Sequence, residues 1–119
     1  MNTSDMEALI KEYEDVYLVG EGIDLSLLSH VSGLSDRRTI FLVPEKLYSE
    51  SVASCLNTYR MLPDSDYDHI RNLYGTYEFS DNFHLLSSDD KNYGCIMNLV
   101  KTGILSEEEA YKAMLGLRA

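Results

Sequence analysis

Three short apolar runs constrain this chain more than any other feature: Val16-Tyr17-Leu18-Val19, Arg38-Thr39-Ile40-Phe41-Leu42-Val43 and Phe83-His84-Leu85-Leu86. A strand with one wet face alternates apolar and polar residues, whereas a continuous apolar run needs cover on both faces. Helices packed on both sides of a mostly parallel sheet supply that cover. The segments between the runs carry apolar residues at helical spacing. The pattern therefore predicts an α/β fold: a small layered domain of about three mostly parallel strands flanked by helices and ending in a helical hairpin.

The helices announce themselves by their caps. Ser4 and Glu7 form a capping-box pair ahead of Met6, Leu9, Ile10 and Tyr13, predicting a helix over 5–15. Asp24 is placed to cap a short helix through Leu25, Leu27, Leu28 and Val31 that Gly33 ends. Tyr48, Val52, Cys55, Leu56, Tyr59 and Leu62 predict a long helix from Glu45 to Leu62, with Pro44 stopping the strand before it and Pro63 closing it. Asp66 should cap a helix bearing Tyr67, Ile70 and Tyr74, with Gly75 at its end. Tyr77-Glu78-Phe79 fits an edge strand or a loop equally. Tyr93, Ile96, Met97 and Val100 mark one C-terminal helix that stops at Gly103, and Ser106 with Glu109 caps a second. Glu107, Glu108 and Glu109 in that first turn suit the helix dipole and need no functional role.

A chain of 119 residues is the size of one domain, 1–119, with one core. With 45% hydrophobic and 25% charged residues it is a folded globular composition, not a disordered acidic tail. No apolar stretch has the length of a membrane span, and Met1 to Glu7 lacks the basic residues of a signal peptide, so a cytoplasmic protein is expected. Cys55 and Cys95 are too few for a disulfide framework, and each sits in an apolar helical pattern, which reads as a buried thiol.

Charge is distributed regionally. The chain holds 20 acidic and 10 basic side chains, for a net charge of -10. Asp5 to Asp36 has eight acids against Lys11, and Asp64 to Lys91 has seven against Arg71 and Lys91, so these two stretches exceed the whole excess. Direct nucleic-acid binding is disfavoured, because phosphate contacts need clustered cations and only Arg37 and Arg38 are adjacent.

Motifs for chemistry are sparse. Gly20-Glu21-Gly22 between a strand and a helix suggests a phosphate-cradling turn, yet Leu25 stands where the third glycine would be, and Glu21 and Asp24 would repel a phosphate. A structural turn is the better reading. Glu21, Asp24, Asp89 and Asp90 are weak candidates for a magnesium site at the strand ends. His30, His69 and His84 lack zinc spacing, and no local pattern brings a histidine to Cys55 or Cys95. No cofactor is expected.

Two local resemblances exist. Glu21-Gly22-Ile23-Asp24 looks like the E-G-x-x-D start of a Toprim domain, one residue short and without the later D-x-D of that family. Leu99 to Glu109 is similar to the helix-turn-helix ends in N-terminal domains of pilus and secretion ATPases. Many helical hairpins share that second pattern for capping reasons alone, so no function is carried over from it.

What remains is recognition. Asp64 to Asp81 mixes five acids with three tyrosines. Tyrosine buries area at low entropic cost and carboxylates pair with arginine or lysine, a combination suited to an interface. The expected surface comprises Asp64, Asp66, Tyr67, Asp68, Tyr74, Tyr77, Glu78 and Asp81, and the expected partner is a basic protein. The expected role is non-catalytic: an inhibitor, immunity-type protein, nucleic-acid mimic or assembly adaptor. The alternatives are a small-ligand or magnesium-dependent phosphate-chemistry site at the strand ends, and a structural subunit of a larger secretion or pilus-type assembly.

Overall fold

The computed structural model describes residues 3–23, 38–48, 59–76, 81–88 and 91–115. Helix α1 (Thr3–Glu12) leads into strand β1 (Asp15–Val19), followed by β2 (Thr39–Pro44), a single 3-10 turn (Glu45–Leu47) and β3 (Tyr59–Leu62). Helix α2 (Asp64–Thr76), strand β4 (Phe83–Leu86) and helices α3 (Lys91–Lys101) and α4 (Glu107–Met114) complete the order. The strands form one sheet in the order β3-β2-β1-β4, and every pairing is parallel. None of the described helices is long and apolar enough to cross a membrane.

All five residues of β1 and all six of β2 are buried. Their side chains alternate between two cores, one on each face of the sheet. Val16, Leu18, Ile40, Leu42, Leu62 and Phe83 pack against Met6, Leu9 and Ile10 of α1 and Tyr67 and Ile70 of α2. Tyr17, Val19, Phe41, Val43 and Leu86 pack against Tyr111 of α4 and Leu115 just beyond it. The Tyr17 ring stacks on Phe41 and on His84, with centroids 5.5 and 4.8 Å away, and its hydroxyl donates to the Leu115 carbonyl at 2.7 Å. That bond pins the end of α4 to the middle of the sheet.

The helix expected over Glu45 to Leu62 is corrected at both ends. Glu45–Leu47 is a 3-10 turn, Tyr48 is extended (φ -73, ψ 139), and Tyr59–Leu62 is an edge strand; residues 49–58 lie outside the described residues. Tyr59 and Leu62 would share one helix face, but in β3 they point to opposite cores. Pairing Phe41 with Tyr59 and Pro44 with Leu62 gives the segment backbone partners and two apolar surfaces, which outweighs its helical spacing. Pro44 ends β2 from within, at the last strand position. Helix α1 stops at Glu12, because Asp15 is already in β1. Helix α2 begins at Asp64 rather than at an Asp66 cap: the Pro63 carbonyl accepts from the Tyr67 amide at 2.9 Å, and the helix runs through Gly75 to Thr76. The helix expected after Asp24 and the segment Tyr77 to Phe79 lie outside the described residues.

The C-terminal hairpin forms as its caps dictate. Gly103 is left-handed (φ 79), the Gly103 amide donates to Val100 at 3.0 Å and the Ile104 amide to Leu99 at 2.9 Å, the paired bonds of a Schellman motif. Ser106 and Glu109 complete a reciprocal capping box. The Ser106 amide and hydroxyl hold the Glu109 carboxyl below its ordinary pKa. The folded state thus favours the carboxylate, so this contact contributes stability above the ordinary carboxylate pKa and loses it as pH falls through the depressed value. Cys95, expected to be buried, is exposed. It lies about 200° around α3 from Tyr93, off the stripe of Tyr93, Ile96, Met97 and Val100, and Cys55 lies outside the described residues.

Leu18, fully buried in the central strand, should lose about 3 kcal/mol of stability on Leu18→Ala through lost transfer energy and a residual cavity. Ser106→Ala should cost about 1 kcal/mol. Urea unfolding of both variants checks the contrast, and equal losses would contradict it.

Candidate functional site

The carboxyl ends of the strands gather four connections. β1 leaves through Gly20-Glu21-Gly22, β2 enters the turn at Glu45, β3 turns at Pro63 into α2, and β4 continues into Ser87 and Ser88. Strand order reverses between β1 and β4, and open α/β sheets leave a crevice at such a point. A cavity of about 230 Å³ sits there, between Glu21, Lys46, Asp68, Arg71 and Ser87, with Tyr67 on its wall.

Backbone bonds lock this edge. The Gly20 amide donates to Leu86 at 2.7 Å, the Ser88 hydroxyl donates to the Glu21 carbonyl at 2.8 Å, and the Tyr93 hydroxyl donates to the Gly22 carbonyl at 3.2 Å. The Lys46 amide donates to Asp64 Oδ1 at 3.1 Å, tying the β2 turn to the start of α2. The two glycines exist for this close approach. A Cβ at Gly20 would lie 2.7 Å from Ser87 Oγ, and one at Gly22 would lie 2.4 Å from Ser88 Oγ on a backbone with φ +85. Close packing against Ser87 and Ser88 of the β4 connection accounts for both glycines without a ligand.

Of the weak magnesium candidates, Glu21 is exposed and its carboxylate lies 3.5 Å from Lys46 Nζ. Asp24, Asp89 and Asp90 lie outside the described residues. Among the described residues no three His, Cys, Asp or Glu side chains converge as metal ligands.

The expected partner surface is only partly assembled as one patch. Asp64 and Asp68 are exposed on α2 and Asp66 is half-buried. Tyr67 is corrected: at 6% exposure it belongs to the core beneath α2, because the helix turns it toward the sheet together with Ile70. Tyr74 lies in the last turn of α2, and Tyr77 and Glu78 lie outside the described residues. Asp81 is exposed in the turn entering β4, which places it at the amino edge of the sheet, whereas Asp64 leaves β3 at the carboxyl edge. What the sequence reading missed is α1. Its exposed Asp5, Glu7 and Glu12 share a layer with Asp64 and Asp68, since α1 and α2 cover the same core.

A second cleft of about 290 Å³ lies between β4, α3 and α4 and is lined by His84, Asn92, Cys95 and Met114 among others. His84 Nε2 lies 3.0 Å from Asp15 Oδ1, a pairing across two neighbouring strands that no local pattern announces. Thr39, beside Asp15 in the register, keeps its buried hydroxyl without a hydrogen-bond partner among the described residues.

No family model matches the chain, and neither a curated protein nor a solved structure matches it.

Gly20→Ala and Gly22→Ala should each destabilise the fold by about 1–3 kcal/mol through overpacking at this edge. Gly94→Ala, with nothing among the described residues within 4 Å of its added Cβ, should stabilise α3 by about 0.5–1 kcal/mol. Thermal unfolding of the three variants separates the two signs.

Proposed function

We propose that this chain is a non-catalytic interaction domain that captures a basic protein on the layer formed by α1 and α2. The observation that supports this reading is one-sided charge. Asp5, Glu7, Glu12, Asp64 and Asp68 are exposed on these two helices, with Lys11 the exposed cation among the described residues there, while on the opposite layer α3 and α4 balance Glu107, Glu108 and Glu109 against Lys91, Lys101 and Lys112. Carboxylates spread over one helical layer create a negative field that steers a cationic partner, repels polyanions and speeds association.

The capture is occlusive: Asp64, Asp66 and Asp68, with α1 beside them, take the place of phosphates in a positive groove. Because Tyr67 faces the core, packing at this surface comes from the aliphatic stems and helix backbones rather than from that ring. An inhibitor, an immunity-type protein, a nucleic-acid mimic and an assembly adaptor would all use such a surface. These roles differ in the partner and share the mechanism.

A deca-arginine peptide serves as the probe. It should shift backbone amide resonances of α1 and α2 and spare α3 and α4, with affinity falling at least tenfold between about 0.05 and about 0.5 M salt. Glu7→Lys with Asp68→Lys should abolish the shifts, while Gly94→Lys with Asn98→Lys on the opposite layer should leave most of them. Shifts spread evenly over the surface, or unchanged binding by the first pair, would refute the proposal.

A further inference from the structure

The cavity at the carboxyl edge goes beyond the acidic layer, because its charges balance. Glu21 and Asp68 face Lys46 and Arg71, so the site is close to neutral within an acidic protein. Glu21 and Lys46 stand 3.5 Å apart with side chains 72% and 46% exposed, a loose surface pair that water screens. Arg71 is half-buried, and the structure records no ion pair or hydrogen bond for its side chain or for that of Asp68 among the described residues. The two are three apart on α2, neighbours on one face with Cβ atoms roughly 5–6 Å apart. They line the same cavity without closing on each other.

We propose that this cavity binds a small zwitterion of amino-acid size. A guanidinium fork takes a carboxylate bidentately, and the Asp68 carboxylate takes an ammonium group, so a ligand carrying both charges satisfies both side chains at once. The buried Ser87 and the Gly20 backbone close the inner wall. Charge balance disfavours the competitors: a phosphate meets two carboxylates and a simple amine meets two cations. Size disfavours a nucleotide, since about 230 Å³ is below the roughly 300–1,000 Å³ of sites that hold larger ligands. The position agrees, at the strand-order reversal where α/β sheets bind small molecules.

The test is an amide NMR titration of the full chain with the proteinogenic L-amino acids, their N-acetyl and carboxamide derivatives, and inorganic phosphate. At least one free amino acid should move the Gly20, Glu21, Asp68 and Ser87 resonances saturably, with a Kd of about 1 mM or tighter. Removing either ligand charge should weaken binding at least tenfold, as should Arg71→Gln and Asp68→Asn. Well-dispersed spectra of the variants confirm folding, and Lys46→Ala replaces any variant that does not fold. No saturable shift with any amino acid, equal binding of an N-acetyl derivative, or tighter binding of phosphate would overturn the proposal. Glu7→Lys should leave these shifts intact while weakening deca-arginine binding, which separates this site from the acidic layer.

Discussion

The structure depends on the burial of β1. It lies between β2 and β4 with every residue from Asp15 to Val19 out of solvent, so both faces of the sheet must be covered. One cover is α1 and α2, the other includes α4, and each shields a separate apolar cluster. Parallel pairing enforces a further consequence. All carboxyl ends fall on one edge, so four connections from distant parts of the sequence meet there whatever their composition. The candidate site follows from the sheet and not from any motif.

What was legible in the sequence was local. Continuous apolar runs revealed β1, β2 and β4, and the Gly103 and Ser106 signals revealed the C-terminal hairpin, because caps and hydrophobic continuity act over a few residues. Strand β3 was illegible for a physical reason. As an edge strand it exposes Arg60 and Met61, so it lacks the apolar continuity of the central strands, and Tyr59 and Leu62 keep a helix-compatible spacing. The site was legible only in fragments. Gly20 and Gly22 marked a turn, but the reason for them is Ser87 and Ser88, 67 and 66 positions later. The same holds for Asp15 and His84, joined across 69 positions.

Charge and topology divide the described surface. Within the second acidic stretch, Asp81 sits at the amino edge of the sheet and Asp64 at the carboxyl edge. The fold nevertheless brings carboxylates into one layer by seating α1 and α2 over the same core. The same helix then presents Asp64 outward and turns Arg71 toward a balanced cavity, so α2 serves two surfaces of different electrostatic character.

The Tyr17 hydroxyl and the Leu115 carbonyl are separated by 98 positions. During synthesis this has a temporal meaning. The cluster under α1 and α2 has all its members once Phe83 has emerged, whereas the opposite cluster waits for Tyr111 and Leu115. A nascent chain therefore lacks Tyr111 and Leu115 in this cluster, and the Tyr17 bond to Leu115, until α4 is made. Such long-range closure slows folding relative to local contacts, and it ties the Tyr17 side of the sheet to residues made 98 positions later.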